Sequence, residues 1–541
     1  MSFCVGAIDF FCICNDSLYF REEDGWASSY SSSSDEGEDE EAPTDPSEEN
    51  EWEPTGQLPS FPFTNRGSLN IGPAETPIDF FKLLFNVTFM TILVDSINSH
   101  ALRLTLEHSP EHMHSRISNW KDTNVEELYV FLGLLFHMGH IKLNRINDYW
   151  KTDILYDLSF RKFMSRDRFL LILRNLSFVD SSSAVGNVSD PNRFTKPIID
   201  FFNNVMKTLV IPPKNLTIDE SVVLWRGRLK IRQFIQGKRH KYGVKMYVLT
   251  DTNGMTLKMH MYCGSHDIDL RGKGHADKVV MMLMEDYLNA GHALYMDNFY
   301  NSVALAENLL TKKIYLTGTL RANRARNPDI TKAKLNKDQA QCRYNSRGVC
   351  VTNYRDKRTV LMISTEHNSD FVPHTNKRGQ SILKPKVVHE YNKYMKGVDR
   401  KDQMLSYYSC YNKSTRWYKK IIIHVMQVMM LNAYMMYNNQ QRQANLDTSD
   451  FYDFRVNVVR QLVNADRQTY RQTSNPRNSR GVSSIHWPVN LPKNNKGITK
   501  RKDCRFCLET HKIRKAASFF CPHCPKTPGL HLECFKDYHR Y

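Results

Sequence analysis

The hydrophobic pattern of this chain changes period more than once. From about 76 to 210 apolar residues recur at three- and four-residue spacings, in 77–86, 90–104 and 125–138, which predicts amphipathic helices. Ser165 and Asp167 read as caps before FLLILRNLSF. At 216 the texture turns to strands. LTIDESVV (216–223) is the first, and 241–250 and 255–262 flank Asp251-Thr252-Asn253-Gly254, a hairpin turn signal. Helix returns at 277–289. Residues 292–296 read as a strand ending at Asp297, 302–312 as a helix, and 314–320 as a strand. Strand, carboxylate, helix, strand is a βαβ unit, which implies a parallel sheet. Residues 324–385 interrupt with basic, turn-rich and strand-like pieces at 348–354 and 358–363. Helical periodicity resumes at 388–408 and 421–437.

Charge changes the picture at both ends. Residues 21–56 hold 14 acidic residues and one basic. With Asp9 and Asp16 also set aside, the net charge of +17 becomes +32 over 57–541. A body that basic points to a polyanion, nucleic acid first. Residues 1–75, with SSSSDEGEDEE at 31–41, read as a disordered acidic tail, either solvating or lying against the basic body in competition with DNA. The N-terminus lacks the basic flank of a secretory signal. No run of about 18 apolar residues predicts a membrane span. Five of the 12 cysteines fall between 504 and 534 and the others are scattered, which favours a reducing compartment over a disulfide scaffold.

The element order is that of a ribonuclease H-like fold: an antiparallel three-strand meander, then parallel additions. Such a fold carries one acid on its first strand, one after its fourth and one on a later helix. Asp219, Asp297 and Asp399 occupy those slots. An Asp at a strand end is equally a helix cap, so each acid is ambiguous alone. Together they suit phosphoryl transfer on DNA, where two divalent ions about 3.5–4 Å apart activate the attacking and leaving oxygens. Magnesium, or manganese in its place, suits carboxylate oxygen. On a helix Asp399 and Asp402 are i and i+3 and share a face.

LTIDESVVLWRGR, KYGVKMYVLTD, YMDNFYNSVALAENLL, LTGTLRANR and MKGVDRKDQM together resemble the piggyBac transposase family, including its domesticated relatives. The resemblance runs in order from about 76 to the C-terminus. It implies a cut-and-paste DNA transposase acting in the nucleus as a homodimer on double-stranded DNA, with hairpin intermediates at the transposon ends and TTAA targets. It implies catalytic aspartates at Asp219, Asp297 and Asp399, an additional acid at Asp402, and a basic pair for target-strand handling at Arg321 and Arg324. The family usually shows Ser where Ala322 stands.

The expected architecture is α/β. A ribonuclease H-like catalytic core (214–323, with its last helix at 386–408) is interrupted by an insertion domain (324–385). The helical segments 76–213 and 409–490 form one dimerisation and DNA-binding domain. A basic linker (491–502) containing Lys500-Arg501-Lys502, a nuclear-localisation candidate, leads to a cysteine-rich domain (503–541). Arg416 and Trp417 lie in a stretch of bases and aromatics suited to phosphate contact and stacking, or to the start of a core helix face.

Cys504-x2-Cys507, Cys521-x2-Cys524, His531-x2-Cys534 and His539 have zinc-ligand spacing. The array is long enough for two interleaved Zn²⁺ sites, with His511 or His523 as an eighth ligand. By family resemblance this domain binds transposon-end DNA, and a protein-binding crossbrace is the competing reading.

Overall fold

The computed structural model describes residues 51–107, 117, 120–156, 158–179, 191–235, 241–267, 270–375, 379, 381–411, 413–414, 416–464, 488–493, 499–522, 524 and 526–539. The chain divides into two compact units: Met1–Phe89, Leu135–Lys142 and Phe178–Val458 form one, and Met90–Leu134, Leu143–Ser177 and Val459–Tyr541 the other.

In chain order the main elements are β1 (Trp52–Glu53), β2 (Ser68–Leu69), α1 (Pro77–Leu84), α2 (Val87–Glu107), α3 (Val125–His137), α4 (Phe160–Phe163), α5 (Arg166–Asn175), α6 (Lys196–Leu209) and β3 (Val210–Ile211). Then come β4 (Asn215–Leu224), β5 (Gln233–Phe234), β6 (Tyr242–Asp251), β7 (Thr256–Met261), α7 (His275–Met284), β8 (Ala293–Met296), α8 (Val303–Thr311) and β9 (Tyr315–Thr319). Next are β10 (Ala340–Asn345), β11 (Cys350–Arg355), β12 (Thr359–Ser364), β13 (Phe371–Thr375), β14 (Ser381–Pro385), α9 (Lys386–Tyr394), α10 (Gly397–Tyr407), α11 (Trp417–Gln443) and α12 (Phe451–Asn464).

The first unit is built on a 10-stranded mixed sheet in the order β1-β10-β11-β12-β9-β8-β4-β6-β5, with β7 paired to β6. β4 runs antiparallel to β6 and parallel to β8, and β8 runs parallel to β9. All four residues of β8 are buried, as a parallel strand covered on both faces requires. The β6–β7 turn is held by Asp251, whose Oδ1 accepts from the backbone N–H groups of Asn253, Gly254 and Met255 at 2.8–2.9 Å. α11 is apolar around most of its circumference and buries residues on every side, the mark of a central helix. It packs against α1, α6 and α10.

Four expectations change in the first unit. Residues 51–75 are ordered. β1 pairs with β10 and β2 with β3. Phe61 stacks on Tyr315 at 3.9 Å, and the Tyr315 hydroxyl bonds both the N–H and the C=O of Phe61. Trp52, Phe61, Phe63 and Leu69 supply apolar area that the neighbouring acidic run masks in composition. The 324–385 insertion is not separate from the core: β12 pairs antiparallel with the edge of β9, so β10–β12 continue the same sheet. The expected helix at 388–408 is two helices, broken at Met395–Lys396. α6 and α11 belong with the sheet rather than with a separate helical domain.

The second unit holds an aromatic cluster of Phe131, Trp150, Phe160 and Phe169. Arg168 there forms a two-pronged pair with Glu127. The cysteine-rich segment begins earlier than expected, because Val489–Asn490 pairs with Phe519–Phe520. Lys502 of the expected linker is also folded in, pairing with Ala517 and donating to the Thr527 carbonyl. Residues 465–487 of the expected helical segment 409–490, and 494–498 of the linker, lie outside the described residues. No single helix among the described residues is long and apolar enough to cross a membrane.

Candidate active site and metal centre

Parallel register brings the first two acids together. Thr217 of β4 lies opposite Tyr295 of β8. Asp219 and Asp297 are each two residues further along, on the same faces as those partners. Both are half-buried. Asp297 is not the cap of α8. Ser302 does that, its Oγ accepting from Leu305 N–H at 3.1 Å. Asp297 Oδ1 instead accepts from Phe299 N–H at 2.9 Å, which shapes the Asn-Phe-Tyr-Asn turn.

The third acid arrives on α10. Alternate β4 residues meet successive points of the chain around it. Thr217 Oγ1 donates to the Tyr394 carbonyl at 3.0 Å, and Ser221 Oγ donates to Asp402 Oδ1 at 2.7 Å. Asp219 lies between Thr217 and Ser221 on that face, and Asp399 lies between Tyr394 and Asp402. Gly397 fixes the height of the helix: a Cβ there would stand 2.3 Å from the Asp251 carbonyl oxygen and 2.4 Å from Thr250 Oγ1. Asp399 is exposed. Asp297 follows the C-terminal end of β8, a position where α/β sheets bind ligands, and Asp219 lies mid-strand in β4, just beyond the stretch that pairs with β8.

A buried tyrosine reports the convergence. Tyr391 of α9 is 7% exposed. Burial pushes its phenol far up, and Asp297, Asp219 and Asp399 all push in the same direction. Tyr300, fully buried, is raised by burial and then by Glu220, Tyr247, Asp219 and Asp297. Its hydroxyl has no hydrogen-bond partner among the described residues. Neither tyrosine nor Ser221 was singled out from sequence. The signal for Ser221 was its place two residues after Asp219, the period of a strand.

Arg321 and Arg324 follow β9 and dock on the turn after Asp297. Arg324 donates to the Phe299 carbonyl at 2.6 Å, and Arg321 Nε reaches Asn298 Oδ1 at 3.4 Å. Both stay half-buried, so they shape this turn while bordering the acids. Arg416 and Trp417 open α11 and are also half-buried. Their neighbours make contacts within the first unit: Tyr418 stacks on Phe194 at 4.8 Å, and Lys420 donates to the Leu224 carbonyl.

The cysteines and histidines form two interleaved groups. Cys504, Cys507, His531 and Cys534 are one, and Cys521, Cys524 and His539 the other, with ligand atoms in each within 4.8 Å of one another. Cys507 Sγ lies 3.5 Å from His531 Nδ1 and 3.6 Å from Cys534 Sγ, and Cys534 Sγ lies 3.8 Å from His531 Nδ1. A tetrahedral zinc with ordinary bond lengths spaces its ligands about 3.5–3.8 Å apart. Both histidines are oriented from behind. His531 Nε2 donates to the Ala516 carbonyl at 3.2 Å, and His539 Nδ1 donates to the Phe535 carbonyl at 2.7 Å. Each presents its other nitrogen to cysteine sulfur, the arrangement expected of ligating imidazoles. Burial and neighbouring sulfurs push the thiols of Cys524 and Cys534 up to about 11 and about 12. His511 belongs to neither group and is exposed, and His523 lies outside the described residues. Among the described residues, only these groups bring three ligand atoms so close. The three carboxylates stand further apart.

A family model described as "Transposase IS4" matches residues 76–434, well over half the chain. The chain belongs to the piggyBac transposase family. By family it is a DNA transposase. It is 24% identical over 483 residues to human "PiggyBac transposable element-derived protein 3", covering 86% of this chain and 78% of that one. It is 24% identical over 490 residues to human "PiggyBac transposable element-derived protein 2", covering 86% and 76%. Its fold is similar to that in a cryo-EM structure of the piggyBac transposase synaptic complex with hairpin DNA. That match has a TM-score of 0.64 and 23% identity, over 85% of this chain and 96% of the other.

Proposed function

We propose that this chain performs cut-and-paste transposition at a site formed by Asp219, Asp297 and Asp399, on a core of ribonuclease H-like order. The observation that carries the reading is the parallel register of β4 and β8 together with the docking of α10 on β4, which draws acids separated by 78 and 102 residues toward one region of the sheet. An all-oxygen donor set of this kind fits Mg²⁺ or Mn²⁺, which when bound would activate the attacking and leaving oxygens. Asp219, within β4, and Asp297, just after β8, would hold it from the sheet. Asp399, more exposed, would complete the set from the helix. Arg321 and Arg324, tied to the Asp297 turn, would contact the phosphate backbone. Arg416 and Trp417 would contact DNA away from the acids, by phosphate contact and stacking.

In the same reading the Cys/His groups hold two Zn²⁺ and support transposon-end binding. The protein works in the nucleus as a homodimer with TTAA targets. The test is plasmid excision with terminal repeats taken from the flanking genomic sequence, comparing wild type with Asp297→Asn. Excision by wild type and its loss in the variant is the expected result.

A second reading has its own support. Both human relatives carry "transposable element-derived" in their names, which favours a domesticated DNA- or chromatin-binding protein. No excision from either form, with cognate ends supplied, would favour it.

A further inference from the structure

Asp402 stands one helical turn beyond Asp399, and family resemblance counts it among the site's acids. Its surroundings give it other work. Its Oδ1 accepts from Ser221 Oγ at 2.7 Å and lies 2.8 Å from Lys401 Nζ. The Lys401 side chain is 1% exposed. Among the described residues Asp402 is the one carboxylate within ion-pair distance of it. Behind the pair, His424 is also buried, and its Nδ1 shares a 2.7 Å hydrogen bond with the Tyr411 hydroxyl.

A cation buried without a counter-charge is strongly unfavourable, so Lys401 needs this carboxylate. The same oxygen is a poor divalent-metal ligand, because an ammonium group already faces it at contact distance. The helix around the pair has little freedom. A Cβ on Gly254, at φ +102°, would stand 3.0 Å from the Gly397 carbonyl oxygen and 3.1 Å from Lys401 N. Arg400 also donates to the Thr252 carbonyl at 2.7 Å. The Ser221–Asp402–Lys401 linkage therefore sets the rotation of α10 about its axis, and Gly397 sets its height.

We infer that Asp402 is a positioning residue, the counter-charge of buried Lys401, which locks α10 on β4 so that Asp399 meets Asp219; it is not a ligand of the catalytic metal. This rests on the reading of Asp219, Asp297 and Asp399 as metal ligands. It assigns Lys401, which sequence reasoning passed over, a part in the geometry of the site.

The experiment uses the full zinc-loaded chain and two readouts: Mn²⁺ binding by electron paramagnetic resonance titration, and thermal midpoint. Asp402→Asn should lower the midpoint by several degrees while leaving Mn²⁺ affinity within about twofold. Adding Lys401→Met to Asp402→Asn removes the orphaned charge and should restore most of the midpoint. Asp399→Asn should weaken Mn²⁺ binding about tenfold or more with little change in midpoint, as expected for loss of a ligand rather than of packing. The inference is overturned if Asp402→Asn weakens Mn²⁺ binding as much as Asp399→Asn does. It is equally overturned if the double variant is no more stable than the single. Unchanged Mn²⁺ binding in both Asp219→Asn and Asp399→Asn would instead sink the metal-ligand reading, and the midpoints would still decide the ion pair.

Discussion

The two candidate metal centres are built in opposite ways. The Cys/His ligands lie within 36 residues of sequence, Cys504 to His539, and stand at tetrahedral spacing with their histidines already oriented. The aspartates come from 181 residues of chain, Asp219 to Asp399, and are gathered only by sheet register and the seating of α10. Neutral thiols and imidazoles can crowd together before a metal arrives. Carboxylates repel, so a preformed oxygen site has to stay open. On the proposed reading, a metal in the first centre would be part of the fold, whereas one in the second would bind a completed fold and serve the chemistry.

The largest expected effect breaks that symmetry. Stripping zinc, or Cys507→Ser, should unfold the segment from about 488 onward, since structural zinc supplies on the order of 10 kcal/mol of folding free energy. Limited proteolysis should then remove that segment and spare the sheet. Elemental analysis of the intact chain should find zinc near two per chain; zero would reject both sites. A chelator selective for Mg²⁺ should leave the melting of the sheet unchanged.

Next in size, Asp297→Asn should reduce excision by about 100-fold or more, in the range seen when a charge-stabilising group is lost. Its melting should stay within about 0.5 kcal/mol of wild type, because the asparagine Oδ1 can still accept from Phe299 N–H. A large loss of stability would mean that the carboxylate serves the turn more than the reaction.

Gly397→Ala should cost about 2–3 kcal/mol by overpacking against the Asp251 carbonyl and Thr250. It should also lower Mn²⁺ affinity, because it lifts Asp399. Denaturant melts and metal titration on the same sample would separate the two effects.

The smallest effect is on pH. Burial, then Lys401, lowers His424 to about 3, and burial, then Arg455, lowers His140 to about 3. Both are neutral in the fold and take up protons on unfolding near their ordinary value of about 6.5. Stability is therefore full above that value and falls as pH drops below it. Between pH 7.5 and 5.5 the loss should be about 1 kcal/mol per histidine. Thermal melts of wild type and His424→Gln at the two pH values check this, and equal slopes would reject it.

Much of this was legible in the sequence because period and spacing are local. The 216–223 strand, the 251–254 turn, the 292–320 βαβ unit and the CxxC pairs all announce themselves within short windows. What escaped is pairing between distant stretches. Nothing in 340–364 says that β12 will pair with β9, since an edge accepts any strand of suitable register. Nothing in a composition window separates Trp52 and Phe61 from the acids beside them. Lys401 was hidden by a general expectation that lysines are solvated, and Tyr391 by its place in an ordinary helical stripe. The break between α9 and α10 was hidden because Gly397 is required by the Asp251 carbonyl, 146 positions away in sequence.

The two residues of β1 pair with Tyr344 and Asn345 and cover that end of the outer edge of β10. The family match begins at residue 76, and a chain cut back to that point would lose this cover. The β10 edge at Tyr344 and Asn345 would then be open to any neighbouring strand, the standard route to edge-to-edge aggregation. The practical consequence concerns solubility more than catalysis: a shortened protein that precipitates would reveal a missing two-residue border, and residues 51–75 are the segment to restore first.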